Sequence, residues 1–185
     1  MGLIGHNRGP ALGEGRSWRL HCWQQAREAL LPTLPVEVVR LRVKRARDLG
    51  LDYRTYASVR AATGHDLVAF LFSSNALRVP PLRLPLPQVQ ALKLAEVRAG
   101  RIALAVGRVE PGALLQANPL IDAAHAAPAV WAGFGEAGRA IRAALDRLPG
   151  DRVLLVGDAS FEQEWCAAGR LAGYLTAERY FGAGA

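Results

Sequence analysis

Apolar positions change their spacing along this chain. In the first third they recur at helical intervals. Trp18, Cys22, Ala26 and Leu30 fall at i+4 steps, which predicts a helix capped by Ser17 and running to about Leu31, broken by Pro32 and Pro35. A second helix is predicted from Val36 to Leu49, with Val38, Leu41 and Val43 as apolar contacts and Gly50 as its stop. A third follows from Tyr53 to Ala62, capped by Asp52 and ended by Gly64.

Beyond residue 64 the pattern becomes short unbroken apolar runs separated by helical stretches. Leu67–Phe72 fits a buried parallel strand opening into polar Ser73-Ser74-Asn75, and it also fits a helix capped by Asp66 and continuing to about Arg78. Val68, Phe70 and Phe72 favour the strand. Residues 79–87 hold four prolines and read as an extended linker or surface loop. A helix from Val89 to Arg98, closed by Gly100, then precedes a strand at Arg101–Val106. Further helices are predicted at Pro111–Gln116, Phe134–Leu148 and Phe161–Leu171, and strands at Arg152–Gly157 and Gly173–Thr176. Strands alternating with helices imply parallel pairing. The expected fold is α/β: a basic N-terminal helical region followed by a small, mostly parallel Rossmann-like sheet with flanking helices. The expected organisation is a flexible Gly-rich arm over 1–15, a basic helical region over 16–64 and an α/β domain over 65–185, with 79–87 a Pro-rich loop within it.

Charge adds a polarity to this picture. Residues 1–100 carry 15 Lys and Arg against 7 Asp and Glu, whereas residues 101–185 carry 8 against 9. The whole excess of +7 therefore lies in the first half, and such a split suits contact with a polyanion or an acidic protein surface. No 18-residue apolar run is present, so no membrane-spanning helix and no membrane partner is expected. The start lacks a secretory leader pattern, and a cytoplasmic location is expected. Cys22 and Cys166 have neither disulfide-scaffold nor zinc spacing, and His6, His21, His65 and His125 are scattered. There is no P-loop and no G-x-S-x-G. The Ala, Leu, Arg and Gly usage suits a bacterial origin.

Three constellations carry candidate chemistry. Arg42 to Ala61 resembles the DNA-binding helix-turn-helix motif at Ala46, Leu49, Gly50, Leu51 and Val59. It departs at Arg45, where an apolar residue is usual, and at Tyr56, where a branched aliphatic is usual. The resemblance implies that Tyr53, Arg54, Thr55 and Ser58 face bases, while Arg40, Arg42, Lys44, Arg47 and Arg60 neutralise phosphates. An ordinary helix pair with a solvated basic face is the plainer account.

The second constellation is Gly157-Asp158-Ala-Ser-Phe-Glu162, at a strand tip where open α/β sheets bind ligands. It is similar to the last motif of haloacid-dehalogenase-type phosphatases, whose Gly-Asp-x-x-x-acidic element holds magnesium. That resemblance implies Mg2+ on Asp158 and Glu162, with Ser73, Ser74 and Asn75 as ligand contacts. It also implies an Asp-x-Asp nucleophile at the end of the first strand, where Ser73-Ser74-Asn75 stands, and Ser or Thr after the second strand, where Val106-Gly107 stands. A member sharing the fold would thus have lost catalysis. Asp158 also suits a plain helix cap.

The third is Gly133-Phe-Gly135-Glu-Ala-Gly138, which matches the letters of a dinucleotide-binding loop, with Asp158 twenty residues on. The preceding Ala127–Ala132, with Pro128, makes a poor strand, so the glycines also suit a helix start with close packing. The sequence thus leads to a non-enzymatic binding protein whose basic helices contact nucleic acid or an acidic partner, without a cofactor. The alternative is a ligand-binding or hydrolase-like domain around Asp158. A homo-oligomer or a subunit of a larger assembly is also open, and the latter expects an exposed apolar patch.

Overall fold

The computed structural model describes residues 34–182. The predicted helix at Ser17–Leu31, the Gly-rich arm, Cys22, Trp18 and Trp23 lie outside the described residues. The described residues from Arg40 onward make one compact unit, and residues 34–39 belong to another.

Two helices open the described chain, α1 (Val36–Asp48) and α2 (Tyr53–Thr63). Gly50 between them lies at φ +66°, and the Leu51 N–H donates back to the Ala46 carbonyl, the reversal that a left-handed residue permits. The Asp52 carboxylate caps α2 by accepting from the Thr55 N–H and hydroxyl. Those bonds hold its carboxyl below the usual range. The chain then enters β1 (Ala69–Ser73), α3 (Gln88–Glu96), β2 (Gly100–Ala105), α4 (Pro111–Ala117) and β3 (Ala123–Ala126). It continues through α5 (Phe134–Leu145), a 3-10 turn (Gly150–Arg152), β4 (Val153–Gly157), α6 (Glu162–Gly169), β5 (Gly173–Thr176) and α7 (Ala177–Phe181). No helix among the described residues is long and apolar enough to cross a membrane.

The strands form one sheet in the order β3-β2-β1-β4-β5, and every pairing is parallel. This is a small Rossmann-like α/β fold. The alternation within β1 sorts its side chains onto the two faces. Phe70 and Phe72 join the core that holds Ala46, Leu49, Leu51 and Tyr56 from the α1–α2 segment, Leu94 of α3, Leu114 of α4 and Tyr180 of α7. Ala69 and Leu71 join the opposite core, with Ala137, Ile141 and Ala144 of α5 and Trp165 and Ala168 of α6. Apolar side chains of the basic helical stretch thus share a core with the sheet. Leu41, expected as a contact, is 68% exposed.

Phe70 stacks on Phe72 and Tyr180 packs tilted against both, with centroids 5.3–5.5 Å apart, and the Tyr180 hydroxyl donates to the Leu49 carbonyl. Burial pushes that phenol well above its ordinary range. Asn118 fastens the Pro-rich loop: its amide donates to the Leu84 carbonyl and its oxygen accepts from the Leu86 N–H, both at 2.8 Å.

Several boundaries differ from expectation. Residues 67–72 belong to the strand alternative. Gly100 opens β2 and does not close a helix, because its N–H joins the ladder to the Val68 carbonyl. The helix expected to reach Leu148 ends at Leu145, where Asp146 leaves helical geometry at φ 52°. Two elements escape the apolar pattern: β3 reads Ala-Ala-His-Ala, and α7 is five residues capped by Thr176.

Gly138 of α5 faces α6 so closely that a Cβ would lie 2.7 Å from the Ala168 carbonyl oxygen. Backbone cannot yield cheaply there. Gly138→Ala is expected to destabilise the fold by roughly 1–3 kcal/mol, read as a lowered urea midpoint with unchanged slope. Unchanged stability would show that α5 and α6 do not approach as described.

Candidate functional site

The strand order reverses between β1 and β4: from β1 the chain builds outward to β2 and β3, then returns to β4 on the other side. The two loops leaving β1 and β4 therefore diverge and leave a crevice between them. A cleft of about 610 Å³ lies there, lined by Ser74, Asn75, Arg78, Val79, Pro80, Asp158 and Ala159.

The β1 side is shaped by short-range bonds. Ser73 is fully buried, its hydroxyl accepting from the Ala76 N–H at 3.1 Å and its carbonyl from the Leu77 N–H at 3.0 Å, which winds one helical turn at the strand end. The Ser74 hydroxyl accepts from the Val106 N–H at 3.0 Å, tying the β1 tip to the end of β2. Both serines thus hold backbone. Arg78 ends the turn in the left-handed region at φ 57°, unusual for a residue with a Cβ. Its N–H donates to the Asn75 carbonyl, and the next N–H, from Val79, donates to the Ser74 carbonyl.

On the β4 side, Glu162 begins α6 and is completely buried. Its Oε1 accepts from the Asn75 Nδ2 at 2.8 Å, and its Oε2 accepts from the Asp158 and Ala159 N–H groups at 2.6 and 3.1 Å. A buried carboxylate at a helix N-terminus is stable with such donors. Gly157 makes room for it, since a Cβ there would meet Glu162 Oε2 at 2.6 Å and the Tyr174 ring at 2.7 Å. Tyr174, which the sequence reading missed, has its phenol pushed above the ordinary range by burial and by the Glu162 and Asp158 charges. Asp158 itself points the other way, its Oδ2 lying 3.3 Å from Arg78 Nη1, with the side chains 34% and 47% exposed. A pair so open to water contributes about 0–1 kcal/mol.

The phosphatase resemblance implied Asp158 and Glu162 on one metal as an alternative to a plain helix cap. The geometry separates them: both Glu162 oxygens are taken by N–H donors, and Asp158 pairs with a guanidinium. Nor does Asp158 cap α6, whose cap position is Phe161 and which has no side-chain cap bond; Glu162 reaches back to N–H groups of the loop ahead of the helix. Among the described residues no group of three His, Cys, Asp or Glu stands ready to hold a metal ion. The third group on Glu162 is the Asn75 amide nitrogen, which donates and cannot ligate a cation. The donor set therefore does not fit Mg2+.

The glycine string lies elsewhere. Gly133 and Gly135 are exposed at the start of α5, after edge strand β3, and Gly138 serves helix packing. The loop before α5 exposes Val130 and Trp131, Trp131 at 89%, and Phe134 is exposed at the first position of the helix. Cys166 is half-buried, and burial pushes its thiol up.

In the α1–α2 pair, the two departures from the helix-turn-helix pattern converge on Asp66. Arg45 Nε donates to Asp66 Oδ2 at 2.9 Å, and the Tyr56 hydroxyl donates to Oδ1 at 2.8 Å. Arg45 also donates to the Leu67 and Arg98 carbonyls. Arg60 joins the cluster, 3.8 Å from Asp66 and bonded to the Tyr56 hydroxyl. Thr55 is buried, accepting from Arg179. Lys44, Arg47, Arg54 and Ser58 are exposed, as is Arg40, while Arg42 and Tyr53 are half-buried.

No family model, no curated protein and no solved structure matches the chain.

Glu162→Gln keeps the shape but replaces an acceptor oxygen with an amide donor facing other donors. We expect a loss of roughly 1–3 kcal/mol in chemical denaturation. Full stability in this variant would mean that the three bonds to Glu162 are not formed.

Proposed function

We propose that this chain is a ligand-binding α/β domain that works without phosphoryl-transfer catalysis, with its site in the cleft at the tips of β1 and β4. The carrying observation is that the turn after β1 and the loop after β4 line one cleft at the reversal of strand order. Ligands of open α/β sheets collect at such points, and a cleft of about 610 Å³ is in the range that small molecules occupy. The resemblance to haloacid-dehalogenase-type phosphatases supports the placement and argues against the reaction. Ser73-Ser74-Asn75 supplies no carboxylate nucleophile, and the Ser73 and Ser74 hydroxyls accept from backbone N–H groups.

Binding to the native state raises its melting point, with about 2.7 kcal/mol of stabilisation at a hundredfold excess over Kd. A thermal-shift screen across phosphate esters, nucleotides, dinucleotides, carboxylic acids and amino acids is expected to give at least one class that stabilises wild type and leaves Arg78→Gln unmoved. No shift with any class, an equal shift in the variant, or turnover of a phosphate ester would overturn the reading.

A second reading rests on a separate observation. Lys44 and Arg47 of α1 and Arg54 of α2 are exposed, with no acid in ion-pair contact among the described residues. This face suits nucleic acid or an acidic protein surface, with Tyr53 and Ser58 beside it and Arg40 and Arg42 on the same helix as Lys44. Thr55 and Arg60 take no part, being committed to internal bonds. On random-sequence duplex DNA, three phosphate contacts predict that affinity falls roughly 40-fold between 50 and 200 mM salt. The triple variant Lys44→Glu, Arg47→Glu, Arg54→Glu is expected to abolish binding. Absence of binding at 50 mM salt would exclude DNA as the partner of this face.

A further inference from the structure

The geometry points to a zwitterionic head group as the occupant of the strand-tip cleft: one anion and one ammonium on neighbouring atoms, as in an α-amino acid. This rests on the cleft being a ligand site and names the chemistry it takes. Of the charged side chains at the strand tips, Glu162 is buried with both oxygens occupied. Arg78 and Asp158 are the two charges that line the cleft itself. They meet through a single Nη1 to Oδ2 approach of 3.3 Å, which leaves the rest of the guanidinium and the other carboxylate oxygen available.

An occupant bearing only negative charge would gain Arg78 and be repelled by Asp158. One bearing only positive charge would meet the reverse. A zwitterion exchanges one loose, solvent-open pair for two complementary ones. A carboxylate can take the Arg78 fork bidentately, and an ammonium has three hydrogens for acceptors. Asp158 is one acceptor. Asn75, which lines the same cleft, offers a second through its side-chain Oδ1, because its Nδ2 is committed to Glu162.

Arg78 is also set for this task by its backbone. A left-handed residue with a long side chain is retained at a cost, and such positions gather at ligand clamps. Two bonds across the turn, from the Arg78 and Val79 N–H groups, hold it there. Val79 and Pro80 give the cleft an apolar border for whatever the head group carries.

Calorimetric titration of the full chain tests this. The probes are the twenty common α-amino acids, the amine and the carboxylic acid obtained by removing either charged group from any that binds, and AMP and inorganic phosphate. At least one amino acid is expected to bind, both truncated analogues at least tenfold more weakly. Arg78→Gln and Asp158→Asn are each expected to weaken it at least tenfold while retaining the wild-type circular dichroism spectrum. Equal binding by a singly charged analogue, or no change in either variant, overturns the assignment. Preference for AMP or phosphate, lost in Arg78→Gln, overturns the zwitterion but leaves the cleft a ligand site. No binding by any probe overturns the zwitterion, and the broader screen then decides the cleft by itself.

Discussion

The structure depends on a strand buried on both faces and hydrogen-bonded on both edges. All five residues of β1 are inaccessible to water, as are all five of β4 beside it. Such a strand has no polar side to spare, so its polar groups must be satisfied where it ends. At the entry, Asp66 gathers Arg45, Tyr56 and Arg60, and Arg45 reaches on to the Leu67 carbonyl. At the exit, Ser73 and Ser74 spend their hydroxyls on backbone N–H groups of the following turn and of β2. At the exit, where Ser73 and Ser74 are buried, an unsatisfied polar group would cost about 1–3 kcal/mol; the entry network is part-exposed.

The same constraint shapes the cleft. Glu162 is a buried charge, and the fold keeps it by supplying three N–H donors. One comes from Asn75, on the opposite side of the strand-order reversal, so a single carboxylate locks the β1 turn to the β4 loop. That lock turns Glu162 inward and leaves Asp158 outward with Arg78. A motif that reads as two acids for one cation becomes one structural acid and one exposed acid.

The α1–α2 pair shows how a helical pattern can be diverted by a neighbouring sheet. Arg45 and Tyr56 break the helix-turn-helix pattern because they face the entry of β1 and bond Asp66. Arg60 and Thr55, both placed on an outward binding face by the sequence, turn inward to Asp66 and to Arg179 of α7. Lys44, Arg47 and Arg54 have no such neighbour and remain on the solvent side.

From sequence alone, the strands β2 and β4, the Gly50 stop of α1 and both caps of α2 were legible, because burial on two faces and the chemistry of chain reversal act locally, while the apolar run of β1 also fitted a helix. The alternation of strands and helices then implied parallel pairing. Strand β3 was not legible: an edge strand of small residues buries too little to leave a hydrophobic signature. Nor were the partners of charged groups. Asn75 and Glu162 are 87 residues apart and Arg179 and Thr55 are 124 apart. Nothing in local spacing tells a side chain which of several donors the sheet will bring to it. Tertiary structure alone decided which of the candidate acids and arginines serve the interior and which face water, because that depends on where the parallel order turns back on itself.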